Sequence, residues 1–300
     1  STLLLDPPFR LIQAVGRETA RAIYGFSAEG VRAWGDELHQ TGVVYLAKGE
    51  TEAEEVELNL RAMAMLGVTA EPWTARGVSG LRDGWRVPTD GLLNLERVAS
   101  RMAKTIPYSA DTEAMTIDDD DGDLLLRFAD GRATRADIVV MTGGAQITQW
   151  AADKFHPVRH QAIATSPAEP ILPQPMHIQY GYTSISQKPS GAIHLSGCRW
   201  ATPHLEIGET NDHVISEAVD TKLKAFLHQH WPSLIDQPIT HQWTGIMTFS
   251  CDGLPIIGPH PGRPRIITCG GFGAYGRSFA LRSAQAVIDG ITTGESPGVP

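Results

Sequence analysis

The sequence predicts a mixed α/β fold of the α+β kind in a chain long enough for roughly two domains. Three observations predict it. Helical apolar periodicity dominates the first 105 residues, period-two runs dominate residues 114–196 and 240–249, and the chain ends on a strand, a glycine-rich loop and a helix. Both periods recur in alternation, so neither an all-helical bundle nor a pure sandwich fits.

Composition bounds the class. The 300 residues are 42% hydrophobic and 20% charged, an ordinary globular balance. A chain of this size buries about three quarters of its unfolded surface, so disulfides and metals are not needed for folding. The 3 cysteines, Cys198, Cys251 and Cys269, show no CxxC spacing, which speaks against a disulfide framework or a zinc site and fits a cytoplasmic home. Apolar runs such as 138–141 are far short of the ~20 residues of a membrane span. The formal net charge of −9 weighs against nucleic acid or an anionic membrane as partner. Acidity sits in the first half, with 23 acidic against 15 basic side chains, whereas 10 of the 11 histidines sit in the second.

Element by element, Ala20, Ile23, Ala28, Val31, Trp34 and Leu38 predict one helix over 16–40, stopped by Gly42. A strand over 43–47 leads to a helix over 51–66 with glutamates near its positive end and Gly67 as its stop. Residues 73–92 carry neither period and predict a loop. Asn94 caps a helix over 94–105. Three strands, 114–117, 124–128 and 136–141, form a meander. The run Asp118 to Asp123 lacks the twelfth-position glutamate of a calcium loop and reads as a solvated turn. Strands are then expected over 158–165, 176–184, 192–196, 240–249 and 265–269, and helices over 211–230 and 276–291.

The densest chemical signal is Gly270-Gly271-Phe272-Gly273-Ala274-Tyr275-Gly276. Gly271, Gly273 and Gly276 match GxGxxG, whose backbone N–H groups approach an anionic ligand at a helix's positive end. A dinucleotide site cannot be completed here. Only 24 residues follow Gly276, with neither a second strand nor an acidic residue for a ribose.

Two upstream blocks change the reading. Residues 136–145 end in Thr142-Gly143-Gly144-Ala145, and residues 243–258 read W-T-G-I-M-T-F-S-C-D-G-L-P-I-I-G. Together with Pro157-Val158-Arg159-His160-Gln161, and with Gly197, Arg199, Glu206, Asn211 and Asp212, this order of blocks resembles the FAD-dependent amino-acid and amine oxidoreductases of the D-amino acid oxidase, glycine oxidase and sarcosine oxidase type. The likeness covers nearly the whole chain, and the joint blocks are more specific than any one of them.

The resemblance implies an FAD-binding domain with an incomplete parallel sheet (1–42, 84–155 and 250–300) interleaved with a β-rich substrate domain (43–83 and 156–249). It implies oxidation of a C–N bond by hydride transfer to flavin N5, with a small-molecule amine or amino acid as substrate. Cofactor-binding positions are then Gly143, Gly144, Ala145, Gly270, Gly271, Phe272, Gly273, Tyr275, Gly276, Arg277 and Ser278. His160 and Arg199 are the candidate catalytic residues, and Tyr180, Tyr182, Trp200 and Met247 the candidate pocket residues, with no metal.

The departures from the family pattern carry information too. Relatives open with a βαβ unit bearing GxGxxG, and roughly 45 residues of it are expected ahead of the equivalent of Ser1, so a truncated form that holds FAD weakly is expected. Relatives that act on amino acids place an arginine just after W-x-G to grip a carboxylate, where this sequence has Ile246 and Met247. That favours an amine with an apolar body, or Arg199 as a substitute. The alternatives are a non-catalytic remnant of the fold and, disfavoured by the acidic balance, a tRNA-modifying relative.

Overall fold

A computed structural model describes residues 7–202 and 204–294. The outermost ends of the expected domain ranges, residues 1–6 and 295–300, lie outside the described residues. The helices are α1 (Pro8–Val15), α2 (Arg17–Arg32), α3 (Glu50–Leu66), α4 (Leu95–Met102), α5 (Glu217–His230) and α6 (Gly276–Thr293).

The largest sheet has eight strands in the spatial order Ile239–Ser250, Phe155–Pro167, Ala192–Ser196, Thr183–Gln187, Met176–Ile178, Val43–Ala47, Arg82–Val87 and Glu71–Trp73. Neighbours run antiparallel except Met176–Ile178 beside Val43–Ala47. Strict alternation gives the sheet two unlike faces. Val44, Leu46, Ile163, Ile178, Ile185, Ile193 and Leu195 point to one side and pack with Val219, Leu223, Phe226 and Leu227 of α5. Each such fully buried Ile or Leu stabilises the fold by ~1.5–3 kcal/mol.

The opposite face is chemically different. Register aligns Trp243 with Ala162, Ala162 with Ser196, Ser196 with Ser184, Ser184 with His177, His177 with Tyr45, and Tyr45 with Trp85. Small hydroxyl and imidazole side chains thus form a floor between aromatic walls.

A second sheet orders Ile256–His260, Arg263–Gly270 and Val139–Met141, the last two parallel. Against it lie α2 and α6, which cross so closely that a Cβ on Gly30 would stand 1.8 Å from the carbonyl oxygen of Ser278. Phe26 and Phe279 seal the crossing with ring centroids 5.6 Å apart. A separate meander joins Ala114–Asp120, Asp123–Phe128 and Ala133–Ala136.

Several expectations are corrected. The helix expected over 16–40 ends at Arg32, and its last residues form a 3₁₀ turn at Gly35–Glu37 and the short strand Leu38–His39. The loop expected over 73–92 contains strand Arg82–Val87, and Glu71–Trp73 pairs with it; Tyr45 stacking on Trp85 at 5.1 Å outweighs the local Gly and Arg content. That strand straddles the expected boundary at residue 84.

The strand expected over 136–141 splits into Ala133–Ala136 and Val139–Met141, which serve different sheets. The strand expected over 176–184 is a hairpin, because Gln179 and Tyr180 take positive φ values of 56° and 53°. The helix expected from Asn211 starts at Glu217 instead, since Asn211 closes a local turn by accepting from the His213 amide at 2.9 Å. The acidic run expected as a solvated turn is largely strand: Asp118 to Asp120 end the strand Ala114–Asp120, pair with residues 123–125 and take ion pairs from Arg127, Arg135, Arg263 and Arg265, and only residues 121–122 make the turn.

Candidate active site

The polar face of the large sheet and the loop leading into α6 enclose a cleft of about 620 Å³. His160, Ser184, Ser196 and Trp243 line it from the sheet, and Gly273, Ala274, Gly276 and Arg277 from the loop. That volume suits a ring-sized ligand together with a small substrate.

The loop is built to leave amides free. Gly273 takes φ +50° and spends its N–H on the Thr248 carbonyl at 2.8 Å, and Tyr275 spends its own on the Phe272 carbonyl at 2.8 Å. The N–H groups of Ala274, Gly276 and Arg277 find no protein acceptor among the described residues. They lie at the positive end of an 18-residue helix, where partial charge favours an anion or an electron-rich ring edge. Trp34 fixes the first turn by donating its indole N–H to the Arg277 carbonyl at 2.6 Å.

Thr248 ties a second glycine turn to this loop. Its hydroxyl donates to the Gly144 carbonyl at 3.2 Å while its own carbonyl receives Gly273. Gly143, Gly144 and Ala145 follow the parallel strand Val139–Met141, and both glycines are exposed, so a ligand can lie against their backbone.

The electrostatics are one-sided. Arg277 lines the cleft as an exposed residue, and desolvation by the surrounding protein lowers its pKa, partly offset by Asp90. Burial, with Arg199 and Arg277 nearby, pushes His160 down to about 4 and leaves it neutral at pH 7. Its Nδ1 is enclosed without a hydrogen-bond partner. His177, lowered to about 3 mainly by burial, shares a 2.7 Å hydrogen bond with the Ser184 hydroxyl.

The remaining candidates scatter. Met247 and Ser278 line the cleft with His160, whereas Gly270, Gly271 and Tyr275 form the buried layer beneath the loop. Phe272 bridges to Phe249, whose ring in turn faces Arg199 at 6.0 Å. Arg199 also covers Tyr182 at 5.5 Å. Tyr180 and Tyr182 belong to the hairpin turn and not to the strand expected over 176–184, and Trp200 lies in a 3₁₀ turn. Tyr180 is turned away, accepting from Arg10 at 3.0 Å beside a separate cavity of about 20 Å³. Trp200 donates to Gln179 at 3.2 Å and lies under Lys48 and Lys222.

Sequence reasoning passed over Trp34, His177, Ser184, Lys188, His194 and Trp243, all of which line the cleft. The alternation in T-S-I-S-Q and A-I-H-L-S was a usable signal, since it places every Ile and Leu opposite a Ser or His. Arg159 of the Pro157-x-Arg159-x-Gln161 block is structural: its Nε donates to Glu206 at 2.6 Å, and Gln161 receives the Ser216 amide at 2.9 Å.

Comparison with known proteins agrees with this architecture. A family model described as FAD dependent oxidoreductase matches residues 4–289, so the chain belongs to the DAO family of FAD-dependent oxidoreductases. Glycine oxidase of Pseudomonas putida is 28% identical over 188 residues, a match spanning 56% of this chain and 45% of that protein, less than half of the relative's length. Among solved structures, glycine oxidase from Geobacillus kaustophilus superposes with a TM-score of 0.75 at 19% identity, covering 100% of this chain and 82% of the other. L-proline dehydrogenase from P. horikoshii gives 0.77 at 18% identity, with 93% and 81% covered. Identities this low establish a shared fold.

The residues present fit the family's cofactor. Three free amides at a helix's positive end belong to residues that line one cleft of suitable size, and His160, which lines it too, keeps an enclosed Nδ1 without a partner. No helix among the described residues is long and apolar enough to cross a membrane.

Proposed function

We propose that the protein is an FAD-dependent oxidoreductase that oxidises a C–N bond of a small amine or amino acid. When bound, FAD supplies the acceptor for a hydride leaving the carbon next to the substrate nitrogen, at flavin N5, and the resulting imine is open to hydrolysis. The amides of Ala274, Gly276 and Arg277, with the positive end of α6, stabilise negative charge on the pyrimidine edge of the ring. Gly143, Gly144 and Ala145 leave room for the cofactor's phosphates to pass close to backbone.

In this reading the chain divides as segments 1–42, 84–155 and 250–300 for the cofactor and 43–83 and 156–249 for the substrate, except that strand Arg82–Val87 goes whole with the substrate sheet. His160, neutral at pH 7, and Met247 face the substrate from the sheet. Arg199, backed by the Tyr182 and Phe249 rings, contributes positive field from one end. The single observation that carries the proposal is the set of free amides opening onto a cleft floored by small polar side chains. The acidic surface makes a nucleic-acid substrate the weaker reading.

The test is a titration of the full chain with FAD, followed in the visible spectrum under anaerobic conditions. Binding with resolved flavin bands, bleached by an amine, is the expected outcome. A chain that takes up FAD but is bleached by no amine or amino acid overturns the assigned activity.

A further inference from the structure

Two metal-ligating side chains and two main-chain carbonyls meet outside the cleft, in a place the flavin chemistry does not use. Cys251 is the exposed member of the 3 cysteines, Cys198 and Cys269 being buried. It follows directly on the strand Ile239–Ser250, in which Ser250 pairs with Phe155 and Phe249 with His156. The chain turns there, and the thiol comes to lie over the start of the neighbouring strand. Cys251 Sγ stands 3.5 Å from His156 Nε2, 3.5 Å from the Asp153 carbonyl oxygen and 3.6 Å from that of Lys154. A thiol and a neutral imidazole bring at most one hydrogen each to this group, in which all four atoms can present lone pairs. The two side chains lie 95 positions apart, so no short spacing announces them.

The separations match a coordination shell. A cation about 2.3 Å from sulfur and about 2.0–2.2 Å from nitrogen or oxygen, with tetrahedral angles, sets the sulfur about 3.5–3.7 Å from each of the other ligand atoms. All three edges that meet at Cys251 Sγ have that length. The donor types narrow the choice of cation. Thiolate with imidazole selects zinc(II) or copper(I), whereas magnesium and calcium take oxygen alone, and the tetrahedral edges favour zinc. Among the described residues no group of three or more His, Cys, Asp or Glu side chains is arranged for a metal, so a cation here draws on two side chains and completes its shell with main-chain oxygen. The exposed Asp153 carboxylate, paired with Lys154 at 3.1 Å, keeps negative charge beside the group.

We propose that Cys251 and His156 bind zinc(II), with the carbonyls of Asp153 and Lys154 as supporting oxygens. Binding releases the thiol proton to solvent, and Cys251 ligates as the thiolate. The site's position gives it a consequence for the cofactor loop. The neighbouring Phe155–Ser250 pair forms the layer under that loop, since a Cβ on Gly271 would meet Cε1 of Phe155 at 2.7 Å and Cβ of Ser250 at 3.4 Å. A zinc ion at Cys251 and His156 therefore staples the two strand ends directly beneath the glycine turn. None of this depends on the oxidoreductase reading.

The test is metal binding to the full chain, without FAD and with a phosphine reductant. Zn²⁺ is titrated in competition with a chromophoric chelator, and Co²⁺ serves as a spectroscopic probe of geometry. One equivalent of zinc is expected, with Co²⁺ giving a thiolate charge-transfer band and the intense visible bands of a tetrahedral site. Cys251→Ser should remove the charge-transfer band. Cys251→Ser and His156→Gln should each weaken zinc binding by at least about tenfold, the lower end of what losing even a supporting contact costs. Both side chains are exposed, so the metal-free variants should melt with the parent. In the unaltered chain, zinc should shield Cys251 from a colorimetric thiol reagent, which reads the site without any variant. Zinc uptake by the parent no greater than that of Cys251→Ser overturns the proposal, as does labelling that zinc leaves unchanged. Zinc binding that survives His156→Gln intact also overturns it, because the cation would then be an adduct of the thiol alone.

Discussion

The Thr248 hydroxyl donates to the carbonyl of Gly144 at 3.2 Å, across 104 positions of sequence. Because the Thr248 carbonyl also receives the Gly273 amide at 2.8 Å, one residue sets the spacing between the two glycine turns. Thr248→Val keeps the shape and the backbone bond but deletes the side-chain bond, worth about 1 kcal/mol. FAD affinity should fall about fivefold, read by flavin fluorescence. A lower melting temperature with unchanged affinity would mean the hydroxyl serves only the fold.

Gly273 tolerates no side chain. A Cβ there would fall 2.4 Å from Cε1 of Phe249, and the φ of +50° is itself unfavourable for an L-residue. Gly273→Ala should displace the loop at a cost of about 1–3 kcal/mol and weaken FAD binding more than stability. Adding Phe249→Leu should recover part of the loss, because it removes the clash while leaving the φ penalty.

Arg159 and Glu206, with side chains 10% and 7% exposed, form the most enclosed ion pair described. Arg159→Met alone strands a buried carboxylate and should destabilise the protein by ~3–5 kcal/mol in denaturant unfolding. Replacing both with apolar residues of similar volume should restore most of that. A single variant within 1 kcal/mol of the parent would show that water reaches Glu206 readily.

Acid should unfold the protein earlier than its carboxylates alone dictate. His160 and His177 have folded pKa values of about 4 and about 3, below the 6.5 of the unfolded chain, so the unfolded state binds more protons between these limits. Their contribution is complete above pH 6.5 and falls as pH drops toward 4 and then 3, at up to ~1.4 kcal/mol per pH unit for each histidine. His177→Gln should flatten that slope in stability measured from pH 7 to 4. An unchanged slope would place His177 in contact with bulk water.

Much of this architecture was legible in the residues. The strand–glycine loop–helix at the C-terminus and the Asn94-capped helix follow from period and capping and form where expected, and of the meander the first two strands do while the third lies at Ala133–Ala136. Non-local pairing hid the rest. Trp85 becomes a strand residue only because Tyr45, 40 positions away, offers a stacking partner, and Tyr180 leaves the substrate side because Arg10 captures it.

The contact between Gly30 and the Ser278 carbonyl fuses α2 to the first turn of α6 with no side chain in between. With Trp34 also gripping Arg277, the amide-bearing rim of the cleft cannot slide along α2. The glycine loop's end of the cleft is thereby braced at two points by a helix and the turn after it, from the other end of the sequence, so its amides keep their spacing without help from the large sheet.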